Sequence, residues 1–242
     1  MNQVESTKLS SYRLFAASQI VNGTKVLQTM KLFHIMIFYV TIFSLPIIPL
    51  RADQPAELQP MLVKPGELMA EDSFDAKEVG KHWNIKKGTW EIEDGILVGK
   101  EKEADKHNAV LNYNLPNRNS MIRFSFKLDG TDYFALSFDK TGTHLFRVVV
   151  SPDKLAIIKD RDKKNPQSRS EPLAAIAAEF EPGKWHMLQV EILGDQVAVQ
   201  SDNNVKLKAK HASLDIDKPN YRFVVGGKTF YLDNVKVWKL AE

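Results

Sequence analysis

Ser120–Gly130 reads SMIRFSFKLDG. Ile122, Phe124, Phe126 and Leu128 fall on one side of an extended chain, and Arg123, Ser125 and Lys127 on the other. A strict period of two excludes a helix here and predicts a half-buried strand. The next run, Asp132–Asp139 (DYFALSFD), repeats the pattern with Phe134, Leu136 and Phe138 inward. Outward from these two, the same alternation recurs in Thr143–Val150, Leu155–Lys159, Trp185–Leu193, Gln196–Gln200, Val205–Ala209, Tyr221–Val225 and Thr229–Trp238. Turn pairs separate the runs: Asp94-Gly95, Asp129-Gly130, Thr141-Gly142, Pro152-Asp153, Gly194-Asp195, Asn203-Asn204 and Gly226-Gly227. Turns at intervals of about 8–12 residues predict an antiparallel sandwich. A parallel sheet needs helical crossovers. Ala76–His82 and Leu173–Phe180 are short enough to be a helical turn or a loop. The expected fold is therefore all-β, an antiparallel jelly-roll β-sandwich over residues 66–242.

Three consecutive runs, Ser120–Gly130, Asp132–Asp139 and Thr143–Val150, read as a meander joined by short turns. Phe124, Phe126, Phe134, Phe138, Phe146 and Val148 then enter the core. Gly226-Gly227 reads as another hairpin turn.

The 242 residues carry no cysteine, which excludes a disulfide framework, thiolate zinc sites and a cysteine nucleophile. Their charge is uneven. Residues 1–52 hold five bases (Lys8, Arg13, Lys25, Lys31, Arg51) and one acid (Glu5). Removing these from 33 and 30 leaves 28 bases and 29 acids, so the remainder is near neutral. A near-neutral body gives no electrostatic case for nucleic acid or an anionic membrane as partner.

Leu32–Leu50 (LFHIMIFYVTIFSLPIIPL) is uncharged, follows Lys31 and ends at Arg51-Ala52. A basic start, an apolar core and a small residue at the end describe a signal peptide over residues 30–52, cleaved after Ala52. Pro46 and Pro49 break the run, which argues against an uncleaved membrane anchor. Residues 1–29 then read as an over-extended N-terminus and residues 53–65, with three prolines, as a linker. The expected location is exported, periplasmic or extracellular.

Several segments resemble one family in order. They are Asp72-Ser73-Phe74, Trp83, Gly88–Leu97 (GTWEIEDGIL), Gly183–His186 (GKWH) and Tyr231–Trp238 (YLDNVKVW). The set is similar to the concanavalin A-like lectin/glucanase sandwich, and within it to the 3-keto-disaccharide hydrolase domain family. The resemblance implies a carbohydrate partner and, if the chain is an enzyme, a glycoside hydrolase or lyase acting on 3-keto sugars. Enzymatic members carry an Asn-Ser-Gly stretch mid-domain, where this chain reads Gly130–Phe138 (GTDYFALSF). The glucanase pattern Glu-x-Asp-x-x-Glu is also incomplete, since Glu91-Ile92-Glu93 runs into a turn. A non-catalytic glycan-binding module or a structural or adhesion module therefore stands beside the hydrolase, and no catalytic residue is assigned.

The site expected for a sugar is the polar side of the central strands: Arg123, Tyr133, Ser137, Asp139 and Arg147. Tyr133 offers a stacking ring, the guanidiniums fork onto vicinal hydroxyls, and Asp139 accepts. The tryptophans Trp83, Trp90, Trp185 and Trp238 read mainly as packing residues, Trp83 being the best exception. His186 and His144 alternate with apolar neighbours and read as core histidines. No histidine or acid cluster has metal-ligand spacing, so no cofactor is expected. Asp233, on the last apolar run, offers a hard oxygen for a structural calcium ion.

Overall fold

A computed structural model describes residues 58–240. The leader expected over 30–52 lies outside the described residues. No helix among the described residues is long and apolar enough to cross a membrane. Among the described residues thirteen strands carry the fold. β1 (Pro65–Asp72), β2 (Trp83–Lys87), β3 (Thr89–Glu93), β4 (Ile96–Lys100) and β5 (Ala109–Tyr113) come first. β6 (Ser120–Lys140), β7 (Thr143–Ser151), β8 (Lys154–Lys159) and β9 (Glu171–Ala177) follow. β10 (Trp185–Leu193), β11 (Gln196–Ser201) and β12 (Lys206–Lys210) lead to β13 (Tyr221–Leu240).

Two strands are far longer than the rest, and they organise the molecule. The first half of β6 lies between β10 and the second half of β13. With β11, β12, β4, β3 and β1 these form a back layer. The second half of β6 lies between β7 and the first half of β13. With β8, β9, β5 and β2 these form a front layer. All pairings are antiparallel, and the ladder is continuous because β6 and β13 pass together from one layer to the other.

The passage corrects the expected meander. Ser120–Gly130 and Asp132–Asp139 are one strand, not two joined by a hairpin, and Gly226-Gly227 lies inside β13. Both glycines that take positive φ here, Gly130 (67°) and Gly227 (100°), serve a bend instead of a reversal. The register slips between Gly226 and Gly227, opposite Thr131 and Tyr133. A Cβ on Gly227 would stand 2.6 Å from the Asp132 nitrogen and 2.8 Å from the Gly130 oxygen, so the crossing strands admit no side chain. Leu173 and its successors form edge strand β9, not a helical turn. The turns at Asp94-Gly95, Thr141-Gly142, Pro152-Asp153, Gly194-Asp195 and Asn203-Asn204 do connect successive strands.

The core fills the space between the layers. Phe124 and Phe126 of the back layer meet Phe223 and Phe134 of the front at ring-centroid distances of 5.4 and 4.9 Å. Phe138 and Phe146 stack at 4.5 Å. The six residues expected inward, Phe124, Phe126, Phe134, Phe138, Phe146 and Val148, are all buried. Trp83 and Trp90 are buried as well, and the Trp83 Nε1–H donates to Asp72 at 2.7 Å. Trp83 is thus a packing residue, not an exposed sugar platform.

Candidate functional site

Alternation along β6 sends Tyr133, Ala135 and Ser137 to the outer face of the front layer. Strand register then fixes their neighbours. One row across that face reads Asn112, Arg222, Ser137, Arg147, Ile158. The next reads Val110, Val224, Ala135, Val149, Ala156. The first row is polar as far as Ile158, and the second is small and apolar. Tyr133 closes the far side. Its ring lies across Gly226, where a Cβ would stand 2.6 Å from the ring edge, and its hydroxyl accepts from the Asn108 amide. These groups line a groove of about 440 Å³ whose walls include Tyr133, Ser137, Arg147, Asp160, His144 and Arg222.

The charged groups are ordered in pairs. Arg147 Nη1 donates to Asp160, whose side chain is almost buried. Arg222 Nη2 stands 2.9 Å from Asp139 Oδ2. His144 Nδ1 lies 2.7 Å from Asp139 Oδ1. Arg222 Nη1 lies 3.3 Å from the same nitrogen, so the His144 ring stands against both members of the Arg222–Asp139 pair. Burial pushes the Asp160 carboxyl above the ordinary range, against the pull of Arg147 and His144. The Arg222 Nε and Asn112 Oδ1 atoms are buried with no hydrogen-bond partner among the described residues. A second hollow of about 610 Å³ adjoins the first and shares His144 and Arg222, with Asp139, Thr143 and Lys163 on its walls.

Four of the five expected site residues, Tyr133, Ser137, Asp139 and Arg147, converge here. Arg123 does not. It sits on the half of β6 that belongs to the back layer, so the same alternation aims it to the opposite outer face. There Nε donates to Gln189 at 2.8 Å and Nη2 to the Leu58 carbonyl at 2.6 Å, while the guanidinium covers the Trp238 ring at 5.4 Å. Leu58–Leu62, at the heart of the expected linker, is a strap across that face. Met61 and Leu62 donate their backbone N–H groups to the Glu191 carboxylate at 2.8 Å each, and Gln200 donates to the Gln59 carbonyl.

His144 also departs from expectation. A register slip between Phe138 and Asp139 turns it out of the Phe146 face and toward Asp139. His186 is a core histidine, packed against Phe126 and Phe180. Glu91 and Glu93 are exposed on β3, and Glu93 meets Lys100 at 3.4 Å, so they form no reactive pair with the groove. Asp233 accepts from the Asn234 N–H at 2.6 Å and steadies that residue's positive φ. Among the described residues no three His, Asp or Glu side chains are grouped to hold a metal ion.

Arg222, Asp160 and Asn108 were not among the expected site residues. Arg222 carries a signal, being the one charge in the apolar run Tyr221–Val225. Asp160 and Asn108 carry none, because their partners lie 13 and 25 residues away and are brought near only by register.

No family model matches the chain, and no curated protein matches it in sequence. Solved structures do match in fold. The carbohydrate-binding module CBM66 from Bacillus subtilis superposes with a TM-score of 0.53 at 14% identity, over 65% of this chain and 96% of that one. The laminarinase from Rhodothermus marinus gives 0.56 at 12%, over 74% and 99%. The kappa-carrageenase from Pseudoalteromonas carrageenovora gives 0.53 at 14%, over 76% and 99%. At such identities the likeness establishes architecture. The chain folds as a jelly-roll sandwich, the architecture those structures share.

Proposed function

We propose that this protein is an exported carbohydrate-binding sandwich that holds a sugar on the outer face of its front layer. One observation carries the reading. An open groove has a small apolar floor (Val224, Ala135, Val149), a ring at one side (Tyr133) and ion-paired donors and acceptors at the other (Arg147–Asp160, Arg222–Asp139). A sugar ring has the complementary character: a C–H face to lie on the floor and equatorial hydroxyls to meet fixed donors and acceptors at its edge. The fold supports the reading, since solved proteins that share it include a carbohydrate-binding module and a laminarinase. Export rests on the Leu32–Leu50 run.

Hydrolysis is the second reading, favoured by two carboxylates in adjoining hollows, Asp160 in the groove with its proton held more tightly than usual and Asp139 next to it. It includes the 3-keto-sugar activity that the sequence resemblance implies. Both carboxylates are engaged by guanidiniums, which suits binding better than proton transfer.

A glycan array probed with the full chain tests the proposal, with 3-keto-disaccharides incubated in parallel and assayed for released monosaccharide. Retention of at least one oligosaccharide without turnover is expected. Turnover of a 3-keto-disaccharide would move the second reading to first place. Retention of no glycan and no turnover would leave a structural or adhesion module.

A further inference from the structure

The pairing of charges in the groove bears on which sugars it accepts. Arg147 and Arg222 are the two guanidiniums on its polar wall. Each already has a carboxylate counter-ion, Asp160 and Asp139 respectively. Both carboxylate side chains are largely buried, at 7% and 10% exposure. An incoming carboxylate or sulfate would have to take a guanidinium from its partner and leave a buried anion unpaired. That exchange is costly, because removing one member of a buried pair exposes the full desolvation penalty of the other. Burial already disfavours the charged form of Asp160, and a further negative charge beside it adds repulsion. The floor offers nothing to an anion either, being Val224, Ala135 and Val149.

The other charged groups nearby are accounted for. Lys140, at the end of β6, binds Asp162 at 3.0 Å. Lys163 lines the adjoining hollow, not the groove. His107 lies at the groove's edge with Nδ1 2.8 Å from the Asn108 carbonyl.

Resting on the reading of this groove as a sugar site, we infer that it selects neutral sugars against uronates and sulfated sugars. Arg147 and Arg222 act as hydrogen-bond donors held in position by their carboxylates, and Asp160, which lines the groove, uses its remaining lone pairs as acceptors for hydroxyls. Specificity then comes from a fixed alternation of donor and acceptor, and charge is cancelled before the ligand arrives. The two aspartates are specificity determinants: they exclude anions by occupying the groups that would attract them.

The test titrates the full chain with two sets of oligosaccharides. The neutral set is laminari-, cello- and fructo-oligosaccharides. The anionic set is oligogalacturonates and kappa-carrageenan oligosaccharides. The wild-type protein is expected to bind a member of the neutral set at least about tenfold more tightly than any anionic one, with little dependence on salt, as exposed-charge attraction is screened and hydroxyl recognition is not. Asp160→Asn keeps the shape of the side chain and frees Arg147 of its counter-ion. It is expected to lose about tenfold or more for the neutral ligand and to gain salt-sensitive binding of the anionic set. Asp139→Asn makes the same test through Arg222 should the first variant unfold. Tighter wild-type binding of a uronate or sulfated sugar in this groove overturns the inference and leaves the sugar site standing. Binding of neither set overturns both.

Discussion

Asp160 and Lys218 are buried ionisable groups with opposite consequences for stability. The Asp160 carboxyl is raised above its ordinary value by burial. Between the ordinary and the raised value the folded protein holds a proton that the unfolded chain has lost, so stability falls as pH rises through that window. Wild-type stability relative to Asp160→Asn is therefore expected to decline in denaturant titrations as pH rises above the ordinary carboxylate value of 3.8. Lys218 is 1% exposed, and its ammonium donates to the Ile216 and Arg118 carbonyls at 2.7 and 3.2 Å. Burial first, and the Arg118 charge second, push it down to about 8. From about 8 to the unfolded value of 10.5 the unfolded chain binds more protons, so stability rises with pH. Wild type is expected to gain on Lys218→Met over that range, and a flat difference would contradict the assignment. At this scale the sequence was partly legible. Tyr133, Ser137 and Arg147 share a face because they share a phase on adjacent strands, which alternation reveals. Arg123 shares the phase of Tyr133 along β6 but not its layer, and alternation is blind to that.

The strands themselves were legible wherever a polar residue alternated with an aromatic or aliphatic one. Their continuity was not. A glycine between two apolar runs signals a break in the pattern, but a hairpin and a bend both need the backbone freedom it supplies. What decides is the partner strand. β13 has its own glycines, Gly226-Gly227, opposite Thr131 and Tyr133, so the two strands bend together and carry the chain from one layer to the other. Gly227→Ala is expected to cost about 2–4 kcal/mol, since it combines a positive φ with a steric clash against the crossing backbone. The strap Leu58–Leu62 was likewise hidden, because its proline-rich composition is that of a linker. It is held through its backbone, by Arg123, Glu191 and Gln200, and so needs no pattern of its own. Arg123→Ala and Glu191→Gln are expected to free it, with cleavage near Met61 accelerating in limited proteolysis while the sandwich persists. Unchanged cleavage in both variants would show that side-chain packing secures the strap instead.

The whole molecule divides its polar groups between two outer faces with different roles. On the back layer Arg123, Gln189, Glu191 and Gln200 are spent on the chain's own strap. On the front layer Tyr133, Ser137, Arg147, Asp160 and Arg222 surround an open groove. Both faces read alike in sequence, as polar residues between apolar ones, and only the bend in β6 and β13 separates them. With the back face occupied by the strap, sugar recognition belongs to the front face alone. Calorimetric titration of one array-positive oligosaccharide into four full-length proteins tests it most directly: wild type, Tyr133→Ala, Arg147→Ala and Arg123→Ala. Both Tyr133→Ala and Arg147→Ala are expected to weaken binding by about tenfold or more, the loss of a ring or a charged donor at a site being worth about 1.4 kcal/mol or above. Tyr133→Ala is expected to change the melting temperature little, and Arg147→Ala to lower it, because it leaves the buried Asp160 without its guanidinium. Arg123→Ala is expected to bind as wild type does while melting lower. Wild-type affinity in both front-face variants, or loss of binding in Arg123→Ala alone, would place the sugar on the back layer and not in the front groove.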